Sequence, residues 1–203
     1  MTGTSGPIEF WFEFSSPYAY FAALEIEELA RRHGRSVAWR PFLLGVVFKL
    51  TKMAPLPDQS LRGDYAFRDW ERLARLRGVP YTLPPKFPIV SLVPARMFYA
   101  AEQMNPEAAP KFALGLFDGL YAKGLDITDA GVAATLGASV GFDAPALVRS
   151  ASDQRYKDAL RARTDEAIGK GVFGSPFFIV DGEPFWGSDR LPMLEIWLSR
   201  GGW

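Results

Sequence analysis

The sequence predicts an α/β fold in which a small sheet is interrupted by a long helical insertion. A β-α-β pattern occupies about the first 50 residues, strand patterns then disappear, and a hairpin followed by a helix closes the chain. A length of 203 residues, at roughly 150 residues per domain, suits one large domain or a core with a sizeable insertion. We therefore expect residues 1–50 and 170–203 to form the core and residues 51–169 to form a mostly helical insert.

Two changes of period mark the opening β-α-β unit. Residues 8–14 alternate with the period of two that a strand requires, and this places Glu9 and Glu13 on the same face. The next segment has apolar residues at helical spacing and ends at Gly34, and residues 37–42 form a second strand. Two strands joined by a helix pair in parallel.

The middle of the chain has helical period punctuated by prolines. The candidate helices cover residues 61–77, 94–104, 106–123, 128–140 and 152–168. Several of them open with Asn, Thr, Asp or Ser followed by Pro or Asp, which is typical of a capped helix start.

The strand pattern returns after residue 174. Residues 177–180 and 184–186 are strand-like runs separated by Asp181-Gly182, a dipeptide typical of a hairpin turn. An amphipathic helix follows over residues 188–198. We expect the hairpin and this helix to complete the sheet begun by the first two strands.

Composition excludes several classes of function. The chain is 48% apolar and 23% charged, as expected of a globular protein, and its 23 Lys and Arg balance 23 Asp and Glu. Such a balance favours neither nucleic acid nor a membrane surface as partner. No cysteine is present, and His33 is the only histidine, so we expect neither thiol nucleophiles of the chain itself nor a metal site. The start does not resemble a signal peptide, which favours the cytoplasm.

Two glycine motifs match by letter but lie in the wrong elements. Residues 137–141 fit the G-x-S-x-G nucleophile elbow, yet a helix precedes them and His33 lies upstream, where the elbow needs a strand before and a histidine after. Gly169, Gly171 and Gly174 follow a helix and precede a strand, the reverse of a phosphate-binding loop. We interpret both motifs as helix ends and loops.

One candidate site lies between the first strand and the first helix. Ser16-Pro17-Tyr18-Ala19 follows the carboxyl end of the strand, where ligands of open α/β sheets bind. Pro17 suits the first position of a helix, so Ser16 is expected at or next to its N-cap. A cap alone contributes about 1 kcal/mol and needs no further function.

The same residues carry a resemblance that covers almost the whole chain. The segment from Phe14 to Ala19 resembles the active site of DsbA-type proteins of the thioredoxin superfamily, with Ser16 and Ala19 in place of the two cysteines of Cys-Pro-x-Cys. Its Ser-Pro-Tyr version resembles kappa-class glutathione transferases and, more closely, 2-hydroxychromene-2-carboxylate isomerases. The resemblance implies a thioredoxin-like core interrupted by a helical insertion domain.

Two further segments support the resemblance. Residues 172–177 are similar to the family's Gly-Val-Pro loop, which implies a cis bond before Pro176 and a backbone contact from Ser175 to the cysteinyl part of glutathione. Residues 186–191 are similar to the family's Trp-Gly-x-Asp-Arg-Leu signature. The resemblance then implies that backbone N–H groups around Ser188 hold the γ-glutamyl carboxylate and that Asp189 takes its ammonium group.

Two positions depart from the family pattern. Lys52-Met53 stands where the family often has Gly-Asn, with the asparagine at the glutathione site. Near Arg62 the family often has a lysine that reaches the glycyl carboxylate or an anionic substrate, and Arg62 could do so with bidentate geometry. A solvated arginine at a helix start is the alternative for Arg62.

The resemblance implies a glutathione-dependent isomerase that acts in aromatic catabolism. Ser16 is the expected catalytic residue, since its hydroxyl would donate to the sulfur of glutathione, whose thiolate adds to a conjugated keto acid, permits rotation and is eliminated. The expected binding residues are Ser16, Arg62, Ser175, Pro176, Ser188 and Asp189. The alternatives are a kappa-like transferase and a non-catalytic glutathione-binding module, the latter favoured by Met53. The resemblance also implies a small aromatic or conjugated keto-acid substrate and a homodimer.

Overall fold

The computed structural model describes residues 6–203. Its sheet has four strands in the order β2-β1-β3-β4. The strands are β1 (Ile8–Phe12), β2 (Val37–Pro41), β3 (Phe177–Val180) and β4 (Glu183–Trp186). β1 pairs in parallel with β2 and antiparallel with β3, which confirms that the two ends of the chain build one sheet.

The hairpin between β3 and β4 has the turn that its sequence predicts. Asp181 and Gly182 have φ values of 52° and 91°. Both are left-handed, as a two-residue type I′ turn requires. Pro184 lies on β4 opposite Ile179. Because β4 is an edge strand, it can tolerate a proline, which has no N–H group to donate to a neighbouring strand.

Ten α-helices and two 3₁₀ turns are described in residues 6–203. The helices are α1 (Pro17–Ala23), α2 (Ile26–Arg32), α3 (Leu44–Thr51), α4 (Arg62–Arg77), α5 (Leu92–Met104), α6 (Ala109–Tyr121), α7 (Ala130–Ala138), α8 (Ala144–Ser150), α9 (Gln154–Gly169) and α10 (Leu191–Arg200). The 3₁₀ turns cover Leu56–Asp58 and Ser188–Arg190. The described strands all fall within the ranges expected for the core, while the division into residues 1–50 with 170–203 and residues 51–169 stays a proposal.

Several helix boundaries differ from the prediction. The expected first helix is two helices, because the N–H of Glu25 bonds to the carbonyl of Ala22 at 3.1 Å and tightens the backbone between α1 and α2. Helices α3 and α8 were not predicted, although Asp143 caps α8 by accepting a bond from the N–H of Ala146. The last helix begins with the 3₁₀ turn Ser188–Arg190 before α10. Gly137 lies inside α7, where a Cβ would overlap Leu147, so helix packing explains this glycine.

Both faces of β1 are covered. The larger core cluster includes Phe10 and Phe12 together with helices of the middle of the chain. A smaller cluster on the opposite face joins Trp11 to Val47 of α3 and Ala167 of α9. All the side chains of β1 except that of Glu9 are therefore buried. No helix within residues 6–203 has the length and apolar character needed to cross a bilayer.

Candidate functional site

Ser16 occupies the N-cap of α1, as its sequence predicts. Its Oγ accepts a hydrogen bond from the N–H of Ala19 at 3.2 Å and donates one to the carbonyl of Ser175 at 2.9 Å. Pro17 is the first residue of the helix, and Ser16 is only 9% exposed. A hydroxyl has a single proton, so in this arrangement the proton of Ser16 is committed to Ser175.

The loop before β3 is bound to two other parts of the site. The Ser175-Pro176 peptide bond is cis, as the resemblance implies. The Oγ of Ser175 accepts a bond from the N–H of Glu13 at 2.8 Å, and the carbonyl of Pro176 accepts one from the N–H of Gly187 at 3.0 Å. These bonds attach the loop to the end of β1 and to the start of the 3₁₀ turn Ser188–Arg190.

Asp189 brings an exposed carboxylate to the same region. The 3₁₀ turn that carries Asp189 lies beside α1. Burial and Asp69 raise the pKa of Tyr18 most, and the charge of Asp189 adds a smaller effect. Its side chain is 71% exposed and pairs with Arg190 at 2.6 Å. Gly187 has a φ of 110°, and a Cβ there would overlap the Asp189 carboxylate. Only glycine therefore fits this approach without displacing Asp189.

The structure brings five of the six predicted site residues together, while the sixth, Arg62, makes no hydrogen bond to them in the described part of the chain. The five are Ser16, Ser175, Pro176, Ser188 and Asp189. Arg62 is the exposed first residue of α4 and donates to the side-chain oxygen of Gln59 at 2.9 Å. Among the hydrogen bonds of residues 6–203, none joins Arg62 to the other five. The functional roles of all six residues remain predictions.

Glu13 is the feature of this site that the sequence analysis did not find. It is the one buried acidic residue within residues 6–203, at 7% exposure. Its carboxylate accepts bonds from the N–H of Ser15 at 3.3 Å, from the N–H of Leu44 at 3.2 Å and from the hydroxyl of Ser91. Burial raises the pKa of Glu13, and these hydrogen bonds oppose the shift without cancelling it.

Glu13 forms hydrogen bonds with several separate parts of the site. Its side chain binds the first residue of α3 and the residue that precedes α5, while its own N–H holds Ser175. Its carbonyl accepts a bond from the N–H of Ser16 at 3.0 Å. Glu13 therefore connects the starts of α3 and α5 to Ser16 and Ser175.

Tyr18 links the site to α4. Its hydroxyl donates to the carboxylate of Asp69 at 2.9 Å, and Arg72 pairs with the same carboxylate at 2.9 Å. Partial burial and then the hydrogen bond to Asp69 raise the pKa of Tyr18, which keeps the hydroxyl protonated. The tyrosine of Ser-Pro-Tyr was the available sequence signal for this contact, but its partner on α4 was not identified.

The polar groups present offer one hydroxyl, one backbone carbonyl and one carboxylate to a small ligand. The hydroxyl of Ser16 can donate to a sulfur, the carbonyl of Ser175 can accept from an amide N–H, and the carboxylate of Asp189 can pair with an ammonium group. In the described part of the chain, no group of three or more His, Cys, Asp or Glu side chains is arranged to hold a metal. Met53 offers no polar group for such a ligand, and it is 38% exposed.

Known proteins are similar to this chain over almost its whole length. Residues 7–198 match the model of the DSBA-like thioredoxin domain. A 2-hydroxychromene-2-carboxylate isomerase of Sphingobium xenophagum is 32% identical over 94% of this chain and 97% of its own. Glutathione S-transferase kappa 2 of Caenorhabditis elegans is 31% identical over 95% of this chain and 92% of its own. A solved structure of a 2-hydroxychromene-2-carboxylate isomerase superposes with a TM-score of 0.84 at 27% identity, covering 95% of this chain and 94% of that one.

Proposed function

The chain belongs to the DSBA-like thioredoxin domain family, and we propose that it is a glutathione-dependent isomerase of the 2-hydroxychromene-2-carboxylate type. The observation that carries the proposal is the direct contact between Ser16 and Ser175 in a chain without cysteine. A chain of this family without its own thiol needs a thiol from a ligand to perform thiol chemistry. Relatives that are 2-hydroxychromene-2-carboxylate isomerases match this chain along almost their whole length.

Each proposed binding residue contacts a different part of glutathione. Asp189 pairs with the ammonium group of the γ-glutamyl unit, and backbone N–H groups around Ser188 hold its carboxylate. The carbonyl of Ser175 accepts a hydrogen bond from the cysteinyl N–H, and Pro176 shapes the loop. Arg62, at the start of α4, reaches the glycyl carboxylate or an anionic substrate.

The bond between Ser16 and Ser175 suggests how the catalytic hydroxyl becomes available. In the present arrangement Ser16 donates to the carbonyl of Ser175 at 2.9 Å. The carbonyl oxygen has two lone pairs, so a ligand N–H can bind it and keep it satisfied when the hydroxyl of Ser16 turns toward a sulfur placed beside it. A donor to the sulfur stabilises the thiolate over the thiol and lowers the pKa of the sulfur.

Bound glutathione supplies a thiolate that can add reversibly to a conjugated keto acid. Ser16 itself does not act as an acyl nucleophile in this proposal. His33 would be the base for such a reaction, but it ends α2 and lies 3.5 Å from Glu195 rather than beside Ser16. Reversible addition by a ligand thiol needs no base of that kind. A cytoplasmic location, a role in aromatic catabolism and a homodimer are part of the same proposal.

The experiment that tests the proposal measures isomerisation directly. Purified protein is mixed with 2-hydroxychromene-2-carboxylate, with and without millimolar glutathione, and the ring-opened product is followed by its ultraviolet absorbance. We expect turnover that requires glutathione and that falls in Ser16→Ala but not in Ser139→Ala, an exposed serine whose hydroxyl bonds only to Leu136. Equal turnover without glutathione would contradict the proposal.

A kappa-like transferase is the second candidate, supported by the 31% identity to glutathione S-transferase kappa 2. In a transferase the glutathione adduct leaves as product, so glutathione is consumed in proportion to turnover. In an isomerase its total concentration stays constant. Thiol titration during the reaction separates the two activities.

A non-catalytic glutathione-binding module is the third possibility, and Met53 is the feature that favours it. Met53→Asn would restore the amide of the family pattern, with Met53→Leu as an apolar control. If the chain is an enzyme whose affinity is limited at this position, the amide should tighten glutathione binding by about 1 kcal/mol and keep turnover. Binding without turnover in both the natural chain and Met53→Asn identifies the module.

A further inference from the structure

A cavity lies between α3, α5 and α9, and none of the six predicted site residues lines it. Its volume is about 440 Å³, within the range of sites that hold small ligands. Four aliphatic side chains line one part of it: Leu43, Val46, Leu92 and Leu160. We call it the cationic cleft, because its polar part includes Arg96, Lys157 and Arg161.

The positive charges of the cationic cleft lack partners within residues 6–203. The three cations share the cleft with one carboxylate, that of Asp165, and none of them forms an ion pair in the described part of the chain. The ion pairs of α9 instead join Arg163 and Lys170 to Glu166. The cleft therefore has a net positive charge in its polar part and aliphatic side chains in the rest.

Arg96 shows that this charge is held in place by the fold. Its Nη1 donates to the carbonyl of Ala151 at 3.0 Å, which fixes the guanidinium against the end of α8. Its Nε is buried without a hydrogen-bond partner. A buried donor without an acceptor is costly, and an anion near the guanidinium offsets part of that cost electrostatically.

We propose that the cationic cleft binds an aliphatic carboxylate of medium chain length. The carboxylate head would pair with Lys157 and Arg161, and the alkyl chain would cover Leu43 and Leu92. Among residues 6–203 no aromatic side chain lines the cleft, which favours a flexible alkyl chain over a planar ring. This site goes beyond the proposed isomerase function and does not depend on glutathione.

The cleft lies close to the Glu13 network without sharing residues with it. Leu43 and Leu92 line the cleft, and each is the chain neighbour of a residue that bonds to Glu13, namely Leu44 and Ser91. Variants of the cleft residues can therefore test carboxylate binding without changing the residues of the predicted glutathione site.

Calorimetric titration of the full chain with octanoate and with octanamide tests the proposal. The two probes have the same alkyl chain and differ in the charge of the head group. We expect octanoate to bind at least tenfold more tightly than octanamide. Across hexanoate, octanoate and decanoate, each added methylene should tighten binding by about fourfold until the cleft is full, since burial of one CH₂ gives about 0.8 kcal/mol.

Variants then assign the binding to the cleft. Lys157→Gln and Arg161→Gln should each weaken octanoate about tenfold and leave octanamide unchanged. Val46→Glu, at a half-exposed position of α3, should abolish both. Arg155→Gln is the matched control, because Arg155 lies on the same helix but does not line the cleft. Saturating glutathione should not change the octanoate affinity.

Three results would overturn the proposal. The first is no octanoate binding at millimolar concentration in a folded chain. The second is equal affinity for octanoate and octanamide, which would remove the role of the cations. The third is loss of octanoate binding in Asp189→Ala or in the presence of glutathione, which would place the carboxylate in the predicted glutathione site. None of these results bears on isomerase activity, which is measured separately.

Discussion

The hydroxyl of Ser16 donates a hydrogen bond to the backbone carbonyl of Ser175 at 2.9 Å, across 159 positions of the sequence. The same oxygen accepts a bond from the N–H of Ala19, so it caps α1 while it holds the loop before β3. Its one proton cannot serve Ser175 and a sulfur at the same time. The proposed role of Ser16 thus depends on what occupies the carbonyl of Ser175.

Ser16→Ala should raise the pKa of a bound glutathione thiol and slow turnover at neutral pH. The variant loses a donor to the charged sulfur, and a shift of about 1 pKa unit corresponds to 1.36 kcal/mol between the two protonation states. Raising the pH should restore part of the activity. Ultraviolet absorbance of the thiolate and the pH–rate profile measure these effects.

If Ser16 is only a helix cap, its loss should affect stability and not the pH–rate profile. Asp143→Ala is the control for this case. Asp143 caps α8 through the N–H of Ala146, far from the predicted site in sequence. This control should lose about 1 kcal/mol of unfolding free energy while its pH–rate profile stays in place. If Ser16→Ala behaves in the same way, Ser16 is a cap and has no catalytic role.

Asp189→Ala should weaken glutathione binding by about 1 kcal/mol, the upper range for exposed ion pairs. The carboxylate is 71% exposed, so solvent screens its attraction to the ammonium group. Gly187→Ala should weaken binding as well, because its Cβ would overlap and displace that carboxylate. Calorimetry measures both variants, and Glu183→Ala on β4 is the exposed acidic control. Unchanged affinity in Asp189→Ala would remove it from the binding site.

The elements with local signals could be predicted from the sequence. Strand alternation located β1, the Asp181-Gly182 dipeptide located the hairpin, and the Ser16-Pro17 pair located the start of α1. In each case the residues that determine the structure lie within a few positions of one another. The resemblance added Ser175 and Asp189, which local patterns alone would have assigned to an ordinary turn and helix start.

The elements stabilised by distant residues could not be predicted in this way. Helix α3 has no cap from its own side chains, since the N–H of Leu44 bonds to the carboxylate of Glu13. Ser91 likewise bonds to Glu13 rather than capping α5. Alternation in β1 identified two faces but not that α3 and α9 cover the second one, so the burial of Glu13 had no local signal.

Lys52→Gly should stabilise the protein by about 0.5–1 kcal/mol. Lys52 ends α3 with a φ of 57°, a left-handed conformation that costs a residue with a Cβ about 1–2 kcal/mol. Glycine removes this cost but loses about 0.5–1 kcal/mol through the entropy of the unfolded chain. Denaturant unfolding measures the change, and Lys49→Gly, inside α3, should instead destabilise by about 1 kcal/mol.

Glu13→Gln should make the protein's stability less dependent on pH. Burial raises the pKa of Glu13 above 4.5, so the folded state holds a proton that the unfolded state has released. The stability that this proton contributes is complete below about pH 4.5 and is lost as the pH rises through the folded-state pKa. The unfolding free energy of the natural chain should therefore fall relative to that of Glu13→Gln across this interval.

Urea unfolding of both proteins at several pH values measures the difference, with the exposed Glu107→Gln as control. A constant difference at all pH values would mean that Glu13 titrates alike in the folded and unfolded states, and its role would then be limited to holding Leu44, Ser91 and Ser15 through hydrogen bonds.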